Sequence, residues 1–323
     1  MVHEGSPLRL VPEPAPGTVA PRPPRTLGAV ELVPGRVRAA VLTMSGAVLR
    51  RAEASYDAAT ALPADIDAAL ALAAEVFAGY HPVGVGVAAA GIVDPGAGLI
   101  TEVNDVPALH GYPVTARLAA LTGAPVRVEH RARLQVLGDR WFGAGRGRRT
   151  FASVSTGEVL GVGILYDGGV LAPAGGRSGA HMTVSASGEA CTCGGRGCWK
   201  TVATTRWLRE RARAAGLGDG ATLAALVERD DEAARRTVEE YAENVALGLV
   251  NVQHLFAPGL FVLHGEAREG GERFRTLIEE RLRSDVAAAG ASAGAELPQV
   301  LVSGAAVDDV ALLGGAGLVL SHL

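Results

Sequence analysis

GEACTCGGRGCWKT, residues 188–201, gathers every cysteine of the chain, Cys191, Cys193 and Cys198, together with its only lysine, Lys200. Three soft sulfur donors sit on a turn made tight by Gly194, Gly195 and Gly197, and tetrahedral zinc needs one donor more. His181, ten residues upstream, is the nearest histidine. A Cys3His set fills the coordination sphere and leaves no position open to water, so the expected metal is a structural zinc and not a Lewis acid. An odd, clustered set of thiols also fits a reducing compartment better than a secreted disulfide framework, which predicts a cytoplasmic protein.

The elements that must position this cluster alternate along the chain. With 323 residues and 48% hydrophobic content, the chain can bury a core of two domains or one two-lobed unit. Residues 1–26 are proline-rich and without period, as in a disordered tail or linker. VELV, RVRAAVL and VLRRAEASY between Leu27 and Tyr56 read as a hairpin meander broken at Pro34-Gly35 and Ser45-Gly46. Helices are expected at 63–78, 114–122, 204–215, 232–257 and 270–288, and further strands at 83–91, 126–129, 151–155, 161–165 and 260–264. That alternation is α/β, with glycine-rich turns at strand ends where such folds place ligands.

The formal charge of −4 supplies no global field for nucleic acid or an anionic membrane, and no apolar run reaches membrane-spanning length. RGRR at 146–149 reads as a solvated turn. The arginines of TTRWLRERARAAG (204–216) read as a solvated helix face and not as a recognition helix.

AHMTVSASGEACTCGGRGC (180–198) resembles the hallmark of the ROK family of repressors and sugar kinases, from His181 through all three cysteines. GVGVAAAGIVDPGAG (84–98), VSTGEVLGVGILYDG (154–168) and SGAAVDDVALLGGAGLVL (303–320) resemble further landmarks of that family in order. The resemblance implies a two-lobed, actin-like (ribonuclease H-like) ATPase fold of the ROK sugar-kinase type. Residues 27–129 plus 303–323 would form the smaller lobe and 130–302 the larger, with a ligand cleft between them. It also implies a homodimer.

At the positions where that family does its chemistry, the chain departs from the pattern. The first phosphate loop, D-x-G-G-T, is replaced by Glu31-Leu32-Val33-Pro34-Gly35, where Pro34 removes a backbone donor; ATP and magnesium are therefore not expected to bind. The catalytic E-N-D appears as Glu129-His130-Arg131. Arginine accepts no proton, so Arg131 cannot serve as the base for phosphoryl transfer to a sugar. The sugar-holding residues appear as Asp105, Ser178 and His181, with Lys200 in place of a glutamate, and the adenosine-side glycine pair becomes His264-Gly265.

Three expectations follow. The first is a non-kinase sensor or effector domain that binds a small metabolite in the cleft, an anionic one if Lys200, His130 and Arg131 make the cleft basic. The second is a repurposed enzyme in which Lys200 acts as general base or Schiff-base nucleophile and Asp105, Glu158, His130 and Arg131 assist it. A glucokinase-like sugar kinase is the remote third. No winged helix-turn-helix pattern precedes the domain, so direct contact with nucleic acid is not expected of this chain, nor is contact with a membrane.

Overall fold

Pro34-Gly35 and Ser45-Gly46 reverse the chain twice, with Gly35 and Gly46 at φ +79° and +88°, a region that side-chain-bearing residues avoid. They join β1 (Thr26–Val33), β2 (Arg36–Thr43) and β3 (Val48–Ser55) into the expected antiparallel meander. The computed structural model describes residues 24–104, 106–173, 178–288, 297–306 and 309–323. Residues 1–23 of the expected tail lie outside the described residues.

Pro63 pre-sets the first turn of α1 (Pro63–Ala74), and the Asp65 carboxylate accepts from the Leu62 amide at 2.8 Å to close that helix end. The chain then crosses to β4 (Val85–Ala89), which lies parallel to β1. A small hairpin, β5 (Ile92–Asp94) and β6 (Leu99–Glu102), and α2 (Val114–Thr122) follow before β7 (Val126–His130) pairs in parallel with β4. The first sheet is ordered β3-β2-β1-β4-β7.

After α3 (Arg131–Phe142) the pattern recurs. β8 (Phe151–Thr156), β9 (Gly161–Tyr166) and β10 (Gly169–Val170) form a second meander. α4 (Thr205–Ala214), α5 (Leu223–Val227) and α6 (Glu232–Phe256) lead to β11 (Leu260–Gly265), and α7 (Gly271–Ala288) leads to β12 (Gln299–Val302). The second sheet is ordered β10-β9-β8-β11-β12, the same arrangement of two antiparallel and two parallel pairings as the first. The architecture is α/β with two mixed five-stranded sheets. Among the described residues no helix is long and apolar enough to cross a membrane.

α8 (Val310–Leu320) is apolar over its whole length and buried on nearly every side, packed on α3 and on β1 and β4. Its glycines make that approach possible. A Cβ on Gly86 would lie 1.9 Å from the Gly315 carbonyl oxygen, and one on Gly314 would lie 2.6 Å from the Leu134 carbonyl oxygen. Both obstacles are backbone, so no side chain can swing aside. Gly86→Ala should therefore lower stability by about 3 kcal/mol, read as a fall in the urea midpoint at unchanged slope; an unshifted midpoint would show that the helix can ride off the sheet freely.

The arginine-rich α4 buries Leu208 and Ala212 and turns its cations to acidic neighbours: Arg211 donates to Glu240 at 2.7 Å, and Arg209 pairs with Glu158. In the RGRR turn, Arg149 pairs with Asp167 at 2.6 Å and Arg146 donates to the Trp141 carbonyl at 2.9 Å.

Candidate ligand and metal sites

The cysteine turn folds on itself through short-range hydrogen bonds: Gly194 N–H donates to Cys191 O at 3.0 Å and Cys191 N–H to Gly195 O at 2.8 Å. Gly197 sits at φ +66°, with Ser185 O only 1.7 Å from where a Cβ would be. Trp199 then anchors the turn. It is fully buried against Gly248 of α6, and its indole N–H donates to Asn244 O at 2.8 Å. The ligand atoms of His181, Cys191, Cys193 and Cys198 all lie within 4.8 Å of one another.

Two separations test the fit to a metal. His181 Nδ1 is 3.5 Å from Cys191 Sγ, and the Cys193 and Cys198 sulfurs are 3.6 Å apart. Four-coordinate zinc with sulfur at ~2.3 Å spaces its sulfurs by ~3.8 Å, so the four side chains suit such an ion. Burial first and then the Cys191 and Cys193 thiols push the Cys198 thiol up to about 12. A metal bound here would displace those protons and staple the turn; it would take no part in chemistry.

Beside the cluster lies a cavity of about 260 Å³ whose walls include Pro34, Asn104, His130, Arg133, Ser178 and His181. His130 ends β7 and caps α3: its Nδ1 accepts from the Ala132 amide at 3.2 Å. Burial, helped by the Arg133 and Arg131 guanidinium groups, pushes its pKa down to about 4, so the ring is neutral near pH 7. Arg133 is turned to Glu129 at 3.3 Å, and Glu129 also accepts from the His130 amide at 2.6 Å. As the alternation of a strand requires, Glu129 faces away from this cavity and His130 lines it.

The depressed His130 pKa has a signed consequence for stability. Above the unfolded value near 6.5 both states hold a neutral ring and the folded state keeps its full advantage. As pH falls from 6.5 toward 4 the unfolded chain takes up a proton that the folded chain refuses, and about 3 kcal/mol is lost. His130→Asn keeps the cap but has no proton to gain, so its stability should be flatter than wild type between pH 6.5 and 4 in urea titrations. Parallel profiles would contradict the assignment.

Arg131, the next residue, does not enter this cavity. Its Nε donates to Glu31 Oε1 at 2.5 Å across a hundred residues of sequence, while Arg38 Nε donates to Glu31 Oε2 at 2.8 Å. Glu31 and Arg38 face each other in the β1–β2 register, and Glu31 is 1% exposed. Both carboxylate oxygens are thus held by guanidinium groups.

On its other side Arg131 helps to line a second cavity, of about 390 Å³, with Thr156, Glu158, Thr205, His264 and Glu266. His264 is locked there: its Nε2 lies 2.7 Å from Asp139 Oδ2, which also accepts from Ser153 Oγ at 2.5 Å. Burial raises the Glu266 pKa, opposed by hydroxyl donation from Tyr241 and Thr205, each at 2.8 Å.

The residues singled out from sequence therefore divide among three places. Ser178, His181 and His130 meet in the smaller cavity. Arg131 and Glu158 belong to the larger one, where Glu158 is paired with Arg209. Lys200 lines neither cavity; the turn brings its backbone N–H to Ala180 O at 3.0 Å, beside His181. Asp105 lies outside the described residues.

The expected basic lining does not assemble in one place: Arg131 shares Glu31 with Arg38 and lines the other cavity, Arg133 is paired with Glu129, and His130 carries no charge at neutral pH. Sequence reading missed Asn104, which lines the smaller cavity directly before Asp105, and missed Glu31 as the partner of Arg131. For Asn104 the adjacency was the only signal. For Glu31 the signal was that the family resemblance aligns a carboxylate with the first phosphate loop and a cation, Arg131, with the catalytic residue.

A family model described as ROK family matches residues 28–321. A glucokinase from Thermotoga maritima is 29% identical over 219 residues, covering 61% of this chain and 68% of that protein. A xylose repressor from Bacillus spizizenii is 24% identical over 215 residues, 64% of this chain and 53% of that protein, so the chain spans about half the length of that repressor. Among solved structures, a ROK family glucokinase from Streptomyces griseus in complex with glucose and AMPPNP superposes with a TM-score of 0.72 at 25% identity, covering 91% of this chain and 98% of that one.

Proposed function

The chain belongs to the ROK family, and on that premise we propose that it is a ligand-binding member without phosphotransferase activity, a sensor or effector domain. The observation that carries this reading is the Arg38–Glu31–Arg131 triplet. Transfer of a phosphoryl group to a sugar hydroxyl needs an acceptor for the hydroxyl proton. Arg131 stands at that position and already donates to Glu31. Glu31, the carboxylate left at the first phosphate loop, has both oxygens engaged and none to offer a magnesium ion.

The ligand is a neutral polyhydroxylated metabolite of monosaccharide size. Asn104, Ser178 and the neutral His130 ring offer donors and acceptors, and the cavity of about 260 Å³ lies just below the ~300–1,000 Å³ range of ligand pockets. The glucose of the Streptomyces griseus complex and the name of the xylose repressor support the same class. Binding acts through closure of the part made by 27–129 and 303–323 on the part made by 130–302. The Cys3His cluster holds a zinc that fixes His181 at the cavity wall.

Calorimetric titration with a panel of hexoses and pentoses tests the reading: one sugar should bind saturably, with or without ATP and magnesium. Tight, magnesium-dependent ATP binding would overturn it.

A further inference from the structure

A third cavity, of about 750 Å³, is distinct from the two described above. It opens where both sheets and both central helices meet. Arg127 and Val128 of β7 and the Pro95–Gly98 turn come from the first sheet's side, Gly169 and Val170 of β10 from the second, and Arg140, Trp141 and Ser321 from α3 and the end of α8.

The geometry points to a second small-molecule site here, for a planar anion of the aromatic carboxylate class. Three features of the wall select that chemistry. Arg127 is exposed, and among the described residues its guanidinium makes no hydrogen bond or ion pair. Arg140 lies over the Trp141 ring at 5.6 Å and is held by donation to Gly168 O, while the Trp141 indole donates to Ser321 Oγ at 3.0 Å, so a cation–aromatic pair is oriented in advance. The one carboxylate in the wall, Glu129, is engaged by Arg133 and by the His130 amide. A planar ring with a carboxylate meets the Arg140–Trp141 pair and the Arg127 guanidinium, unpaired among the described residues, which can bind an anion in bidentate fashion.

Because α3 runs from His130 at the smaller cavity to Trp141 at this one, with α8 packed on it through glycine contacts, an occupant bridges the seam between the sheets. The inference does not rest on the proposed function: Arg127, Arg140 and Trp141, the groups that would meet the anion, all lie outside the sugar-sized cavity.

The test uses the full chain and indole-3-carboxylate, with indole-3-carboxamide as its uncharged counterpart. Calorimetry should show one saturable equivalent of the carboxylate and at least tenfold weaker binding of the amide. Arg127→Ala should weaken the carboxylate at least tenfold with an unchanged melting temperature and unchanged sugar binding. Hydrogen exchange should slow at 126–129, 137–141 and 318–322. The site is refuted by non-saturating heats, by equal affinity for the amide, by an Arg127→Ala variant that binds as wild type, or by protection falling elsewhere.

Discussion

Glu31→Ala should destabilise the protein by about 3–5 kcal/mol, the largest effect expected of any single side chain outside the metal cluster. Glu31 is 1% exposed, and Arg38, at 7%, and Arg131 share its carboxylate. Deleting the anion leaves a buried Arg38 and a partly buried Arg131 without the carboxylate they share, and their repulsion adds to the lost hydrogen bonds. The triple replacement Glu31→Leu, Arg38→Met, Arg131→Met should recover most of the loss, because buried ionic groups exchanged together for apolar ones of similar volume are often neutral. Urea unfolding of the two variants decides the matter. A Glu31→Ala protein within about 1 kcal/mol of wild type, or a triple variant as weak as the sum of single changes, would show that the triplet is solvated and peripheral.

Loss of the metal comes second. The purified protein should carry one equivalent of zinc by atomic emission, and Cys193→Ser should abolish it and lower the melting temperature by roughly 10 °C. The physical reason lies in what the turn lacks. Between Thr183 and Cys198 it has isolated bridges and no sheet, and its main apolar anchor is Trp199 against Gly248. Three thiols and an imidazole within 4.8 Å, joined through one ion, would add a cross-link that the turn's own hydrogen bonds and Trp199 do not supply. A metal-free protein that melts as the wild type does would contradict this account of the cluster.

What could be read from sequence depended on range. The cysteine spacing was legible because its ligands lie within eighteen residues, and turn glycines force their approach. The meander was legible because Pro34-Gly35 and Ser45-Gly46 fall between alternating runs. α3 was not read as a helix. It starts directly from a strand with a histidine cap in place of serine, threonine or aspartate, and RARLQVLGDRWF buries polar Arg133, Gln135 and Asp139 alongside Leu134 and Leu137, which blurs the apolar stripe.

The site divided in the same way. His130, Ser178 and His181 were found by their place in motifs, and the structure brings them to one cavity. The Glu31–Arg131 contact depends on how elements a hundred residues apart are set against each other, which no local pattern encodes. Reading Arg131, Lys200 and His130 as one basic patch did not anticipate that Arg131 shares Glu31 with Arg38 and lines the other cavity, or that burial keeps the His130 ring neutral.

The central claim is that this fold binds a sugar-like ligand and has lost phosphoryl transfer. The most direct test is a radiometric assay with γ-labelled ATP and magnesium, run over the hexoses and pentoses that bind in calorimetry. The account predicts no labelled sugar phosphate above the enzyme-free rate for wild type, and none for Arg131→Asp, since His264 and the altered first loop remain. Labelled product that requires the wild-type chain, and vanishes when His130 and Ser178 are replaced, would contradict it and make this chain a kinase with a base other than residue 131.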